Sequence, residues 1–324
     1  MRFGRWHAVL IGVVAALWLA AAGDHAAWPQ GARTIRVIIP VPPGGAIDTL
    51  VRVLGDHIGK SNGATIIVES RPGAGGVIAA EAVARATPDG NTLLVNTNGM
   101  LINAILRKVN FDPLTSYEPI CYLVNSPQVV VVNSASPYRT LKDFLDAARA
   151  KPAELSIASV GPHTTQHIAI ERLKRLAGVN ITYVPFTGGT PAINALMGQH
   201  VTAALQNYIE VSGQLSAGTL RALASATAKR IEPLPDLPTI AEQGFKDFDA
   251  EVWFGLVAPA KTPQDMVAQL VGSFSRALEA PEVKSKLAAQ ALYPNPICGA
   301  AFSAHIRRQA ELFARLIREL NIQG

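Results

Sequence analysis

From Thr34 onward the chain alternates short runs of β-branched residues with longer stretches whose apolar positions recur every three or four residues. The run TIRVIIP (34–40) predicts a strand, and 45–60 has the apolar spacing of a helix. ATIIVE (64–69) and NTLLVN (91–96) predict two more strands, with a Gly-rich loop and a helix over 77–86 between them. Val- and Ile-rich strands separated by helices argue for βαβ units and a parallel sheet covered on both faces.

The second half repeats this grammar. PQVVVVN (127–133) is continuous apolar text, followed by a helix over 140–150, a strand over 155–159 and a helix over 164–178. A strand over 181–185, a helix over 190–198, a strand over 201–206 and the segment 220–226 complete the set. A Pro-rich surface segment (233–245) ends in a short helix, 251–260 is again a strand, and three helical stretches finish the chain. The pattern predicts two α/β lobes, each a mixed, mostly parallel sheet with flanking helices. Residues 33–132 and 252–324 form a discontinuous first domain, and 133–251 form the second. Chain crossings near Val132 and Val252 would serve as hinges for closure. A ligand then sits at the carboxyl ends of strands, beside helix N-termini.

The first 22 residues have a different pattern. Arg2 and Arg5 precede an apolar stretch of 13 residues (8–20) and then Ala20-Ala21-Ala22. That stretch is short of the roughly 20 residues a spanning helix needs. It reads as a cleaved export signal, with Gly23 opening an exported, soluble mature chain. No cysteine follows it, which speaks against a lipid anchor. Cys121 and Cys298 form an even pair in an oxidising compartment; one bridge, or two buried thiols, would satisfy them.

Composition narrows the function. With 49% hydrophobic and 16% charged residues the chain is not intrinsically disordered. Aromatics at 6% make a nucleic-acid stacking platform a poor reading. Without Arg2 and Arg5, 27 basic residues stand against 24 acidic ones, and they form no clustered stripe. No nucleic-acid partner is expected, while a small anionic ligand is compatible with this balance.

The chemistry gathers at three strand-to-helix loops. Pro42-Pro43-Gly44-Gly45-Ala46-Ile47-Asp48 offers backbone N–H groups at a helix start, and its glycines permit close approach of an anion. Asp48 either complements the helix dipole or accepts hydrogen bonds from a ligand or its waters. Ser159-Val160-Gly161-Pro162-His163-Thr164-Thr165 adds hydroxyls to a second helix start, where Thr164 could equally be an ordinary N-cap. Pro185-Phe186-Thr187-Gly188-Gly189-Thr190 is the third loop.

Catalytic motifs are absent from the sequence: it has no G-x-S-x-G elbow, no H-E-x-x-H and no P-loop lysine. His163, His167 and Glu171 share helical spacing, but His163 belongs to the loop, and packing is the better reading for His167. The loop 71–76 lacks dinucleotide-fingerprint spacing and reads as a structural turn. Neither an enzyme activity nor a cofactor is expected.

Seven segments in order carry a resemblance: IPVPPGGAID (39–48), ESRPGAGGVIAAEAVARATPDG (69–90), SVGPHTTQHIAIE (159–171), VPFTGG (184–189), GTLRALA (218–224), LPTIAEQGF (237–245) and VWFGLVAPAKTP (252–263). Together they resemble the extracytoplasmic solute receptors of the tripartite tricarboxylate transporter system, the Bordetella uptake gene (Bug) family. The resemblance implies a monomeric periplasmic binding protein of type II-like, two-lobed form. Such a protein closes on a small carboxylate and delivers it to membrane permease subunits. It implies that Pro43, Gly44, Gly45, Ala46, Ile47 and Asp48 grip the carboxylate together with Ser159, Gly161, His163, Thr164 and Thr165. Ordered waters mediate part of the contact, and Asp48 helps to hold them. Thr97, Asn98 and Gly99, with Phe186, Thr187, Gly188 and Gly189, would complete the cleft wall. Pro162 and His163 replace a common Asn and Gly, Phe186-Thr187 stands where Tyr-Lys is frequent, and Gln206 stands where Asp is common. These departures make the distal wall less cationic. A sensing receptor of the same fold, and more remotely an exported α/β hydrolase, are the alternative readings.

Overall fold

The computed structural model describes residues 33–290 and 292–323, so the expected export signal at 1–22 lies outside the described residues. One sheet comprises β1 (Thr34–Ile39), β2 (Thr65–Ser70), β3 (Thr92–Thr97), β4 (Tyr117–Ser126), β10 (Val252–Pro259) and β11 (Tyr293–Cys298). Its strand order is β11-β4-β10-β3-β1-β2. The other comprises β5 (Gln128–Asn133), β6 (Ser156–Val160), β7 (Thr182–Phe186), β8 (Ala203–Asn207) and β9 (Leu220–Ser225), ordered β7-β6-β8-β5-β9. The flanking helices are α1 (Ala46–Asn62), α2 (Val77–Ala84), α3 (Asn98–Leu106), α4 (Leu141–Ala150), α5 (Thr165–Ala177), α6 (Gly189–Met197), α7 (Tyr208–Ser216), α8 (Gln264–Glu279), α9 (Pro281–Ala288) and α10 (Ala300–Leu320).

Local sequence explains most of these elements. Ile47, Leu50, Val51, Leu54 and Ile58 recur at helical spacing and are the buried face of α1, which stops at Gly63 in the left-handed region (φ 76°). A capping box of Thr140 and Asp143 starts α4. Each lobe has its own core. Ile38, Leu94, Leu101, Trp253, Phe302 and Phe313 pack on one face of the first sheet. The second sheet is buried on both faces, with Val130, Phe144, Ile157 and Leu173 on one and Val129, Ala158, Leu196 and Val211 on the other.

The sheets are less parallel than the sequence pattern predicts. β1 pairs parallel with β2 and β3, and β6 with β7 and β8. The remaining pairings, β10 with β3 and β4, β11 with β4, and β5 with β8 and β9, are antiparallel. For β5 and β10 the cause is the chain's passage between lobes: a strand that enters a sheet from the edge where others end must run against them. The first passage also falls earlier than near Val132. β4 ends at Ser126 and β5 begins at Gln128, so the chain changes sheets at Pro127, and Val132 lies inside β5. An apolar run buried on both faces reads alike in either sheet, which hides the boundary. Pro127, with no N–H to donate to a ladder, marks it. The return passage leaves β9 at Ser225 and reaches the first sheet at Val252.

Cys121 on β4 and Cys298 on β11 stand opposite each other in register and are joined by a disulfide, with a Cα–Cα distance of 4.0 Å. Gly299 N–H donates to the Ile120 carbonyl at 2.9 Å beside it. The bridge spans a sequence separation of 177 residues and pins the C-terminal strand and helix to the first lobe. Among the described residues no helix is long and apolar enough to cross a membrane.

Candidate functional site

Topology brings the three loops to one region. β10 is antiparallel to both β3 and β4, so the carboxyl ends of β1, β3 and β4 share one edge of the first sheet. Gln128 at the start of β5 pairs with Asn207 at the end of β8, so the second sheet meets Pro127 at the edge where β6, β7 and β8 end. The strand ends of the two lobes therefore border the same chain crossings. The helices that follow these strands therefore start at that border, with their positive dipole ends toward the interlobe cleft.

On the first lobe, Pro43, Gly44 and Gly45 are exposed and Gly44 is left-handed (φ 89°), a conformation that costs a Cβ-bearing residue. Gly45 caps α1 without any side-chain hydrogen bond, so the first-turn N–H groups of Ala46 and Ile47 have no capping side chain. Asp48 is engaged within the chain itself. It is 6% exposed and accepts from Gly44 N–H at 3.0 Å and from Arg52 Nε at 3.0 and 3.1 Å. The Arg52 hydrogen bond is the main reason its pKa is lowered, with the Gly44 N–H adding to it. Asp48 thus holds the shape of the loop, and Arg52, one helical turn on, is a participant that the loop motif alone did not reveal.

Thr97 caps α3, its Oγ1 accepting from Gly99 N–H at 3.2 Å. Asn98 is buried and fully engaged within the chain. Its Oδ1 accepts from Trp253 N–H at 2.9 Å and its Nδ2 donates to the Glu251 carbonyl at 3.3 Å, tying α3 to the return passage.

On the second lobe, Ser159 is buried and its hydroxyl donates to the Val160 carbonyl at 3.1 Å. Thr164 is the N-cap of α5: Oγ1 accepts from His167 N–H at 3.3 Å and reaches the Val160 and Gly161 carbonyls at 3.1 Å. Thr165 is buried behind it. His163 is left-handed (φ 61°). His167 stacks on Tyr183 with centroids 4.5 Å apart, and Glu171 pairs with Lys174 at 2.8 Å. Burial lowers the pKa of His167, as expected for a packing histidine. Phe186 packs half-buried against the lobe's core, and its carbonyl accepts from Gly161 N–H at 2.7 Å. Thr187 is exposed, and Gly188 starts α6 with no side-chain cap.

Two polar groups follow at the end of β8 and the start of α7. Gln206 is fully buried with neither its Nε2 nor its Oε1 hydrogen-bonded. Glu210, in the first turn of α7, stands so close to Gly189 that a Cβ there would run into its carboxylate. Sequence spacing gave no hint of Glu210, since its relation to Gly189 exists only after α6 and α7 pack. A separate cavity of ≈ 80 Å³ lies between α5, α10 and the return passage. Its walls include Arg172, Asp249, Glu251, Trp253 and His305, and of the sequence-selected site residues only Thr165 borders it.

Two α/β lobes joined by two chain passages, with helix N-termini from both turned to the cleft, define the periplasmic binding protein fold. Residues 50–322 match the family described as TctC: Tripartite tricarboxylate transporter family receptor, and the chain belongs to that family. It is 30% identical over 291 residues to Protein BugT of Bordetella pertussis, covering 89% of each chain. It is similar to the solved structure of R. palustris Rpa4515 with adipate, at TM-score 0.82 and 29% identity over 91% of this chain and 99% of that one. MatC (Rpa3494) from Rhodopseudomonas palustris with bound malate matches at TM-score 0.78 and 29% identity, over 90% of this chain and 100% of that one.

Proposed function

We propose that this protein is a periplasmic receptor, without catalytic activity, that captures a small carboxylate between its lobes and delivers it to the permease of a tripartite tricarboxylate-type transporter. The observation that carries the reading is the uncapped glycine start of α1, whose exposed loop offers N–H groups at the cleft edge of the first lobe. An anion there satisfies orphan donors and meets the positive end of the helix dipole. Asp48 and Arg52 keep this loop shaped for the anion, and waters bridge the remainder. Family membership supports the transport role, and the adipate and malate held by two similar proteins support the ligand class.

The lobes, 33–127 with 252–324 and 128–251, close as a monomer about Pro127 and the 226–251 passage. Native mass spectrometry of protein freshly purified from the periplasm tests the reading: the expected result is a copurified organic acid. A thermal-shift screen of carboxylates should then find a stabilising one, since a ligand at 100 times its Kd adds about 2.7 kcal/mol. Turnover of the bound acid, or no stabilisation by any acid, overturns it.

A further inference from the structure

The two cleft-facing glycine-started helices differ in what stands before them. The N-terminus of α1 is open, and the only carboxylate in its first turn, Asp48, is turned back onto Gly44 and Arg52. The N-terminus of α6 is already attended by a carboxylate of the chain itself. Glu210 lies against Gly189, and only the missing side chain of that glycine admits it. Its position is held from the hinge: Asn207 Nδ2 donates to Glu210 Oε1 at 3.3 Å, while Asn207 Oδ1 accepts from Ser126 Oγ at 3.2 Å and from Gln128 Nε2. Those two donors fix which way the Asn207 amide points. Glu210 is exposed to solvent, yet the surrounding walls raise its pKa by desolvation, as befits a group lining a cleft. Four residues before it in the chain, the amide of Gln206 is fully buried with neither atom hydrogen-bonded. That amide lies on the face of β8 that also carries Ala204, which packs in the core beneath α6.

We propose that Glu210 is the selectivity element of the second lobe, reserving that wall for a ligand whose far end donates hydrogen bonds and turning away a second carboxylate. This rests on the carboxylate-receptor reading above and narrows it. The ligand's carboxylate sits at α1, and its other end presents an amide, hydroxyl or ammonium group to Glu210. A dicarboxylate would bring two like charges together across a partly desolvated wall, where repulsion is screened far less than in water. A site built to accept from donors also rejects analogues that lack them.

The test is calorimetry on the full mature chain with succinate, glutarate and adipate, each beside its own monoamide, so that length and shape stay matched while one carboxylate becomes a donor. The monoamide of the best-fitting length should bind at least about tenfold more tightly than its parent diacid. In Glu210→Gln, which keeps the shape and removes the charge, that ratio should fall at least about fivefold, chiefly because the diacid gains affinity. Glu210→Ala should shift the ratio the same way. Equal affinity for diacid and monoamide in the wild type, or a ratio unchanged in both variants, overturns the inference while leaving the receptor reading intact. A wild type that binds no acid of either kind overturns the receptor reading and this inference with it.

Discussion

His163 of the second lobe meets Arg107 at the end of α3 in the first: Arg107 Nη2 lies 2.8 Å and Nε 3.2 Å from His163 Nδ1. The other ring nitrogen, Nε2, lies 3.0 Å from the Gln323 carbonyl, so one imidazole links two segments of the first lobe to the second. The left-handed backbone at His163 aims the ring this way. Glycine would accept that backbone but could not make the link. Arg107→Ala and His163→Gly should each favour an open form by about 1 kcal/mol. Small-angle scattering of the ligand-free protein checks this: the radius of gyration should rise in both variants relative to wild type.

Because both Asp48 oxygens are engaged within their own loop, Asp48→Asn should cost stability in the absence of ligand as well as affinity. Loss of a charged, buried acceptor costs about 1–3 kcal/mol. Urea unfolding of ligand-free protein measures it, and an unchanged midpoint would return Asp48 to a purely ligand-directed role. The pH dependence has a definite sign. The folded-state pKa of Asp48 is lowered from its ordinary 3.8, so its contribution is present above that value and is lost as pH falls below it.

Glu251 behaves in the opposite sense. It sits on the return passage, with Asn125 Nδ2 donating to its Oε1, and it borders the cavity that also holds Asp249, Arg172 and His305. Burial first, and then the Asp249 charge, push its pKa up from 4.5 to about 7. A raised acid pKa means that the unfolded chain releases its proton first. Stability from this group should therefore decline as pH rises from 4.5 to 7 and level off above, by roughly 1–3 kcal/mol after solvent screening. Comparing wild type with Glu251→Gln by chemical denaturation between those values checks it, since the variant should lack this part of the slope.

The Cys121–Cys298 bridge closes a long loop, which the unfolded chain would otherwise sample freely. Reduction should lower stability by about 2–5 kcal/mol. Paired guanidinium unfolding curves with and without reductant measure the loss, and thiol titration of the unreduced, unfolded chain should find no free thiol.

Gly255 gives a packing test in the first lobe, because a Cβ there would run into the ring of Phe302. Both residues belong to the sheet-to-α10 contact, and a well-packed core answers added volume with strain. Gly255→Ala should destabilise by about 1–3 kcal/mol. Pairing it with Phe302→Leu should restore part of that loss in a thermal melt.

Most elements were legible in the chain because a helix or strand is encoded over a few residues. The alternation of β1 and α1, the capping box before α4 and the glycine loop at 42–45 all carry local physical instructions. The glycine-bearing strand-to-helix loops were legible for the same reason: a glycine start before an apolar helix exposes N–H groups wherever the helix later packs. β4, α3, α7 and β11 are not legible in this way. β11 carries two prolines at an edge position, and α3 begins directly where β3 ends, with only Thr97 between them as cap.

What tertiary structure alone decided is which distant residues meet. Two cysteines allowed a bridge or two thiols, and only the β4–β11 register put them opposite each other. Glu210 and Gly189 meet only once α6 and α7 are laid on the same face of the second sheet. Periodicity specifies an element and its buried face, whereas contacts between elements depend on strand order and helix placement. Those are set by the packing of the whole chain, and no local pattern records them.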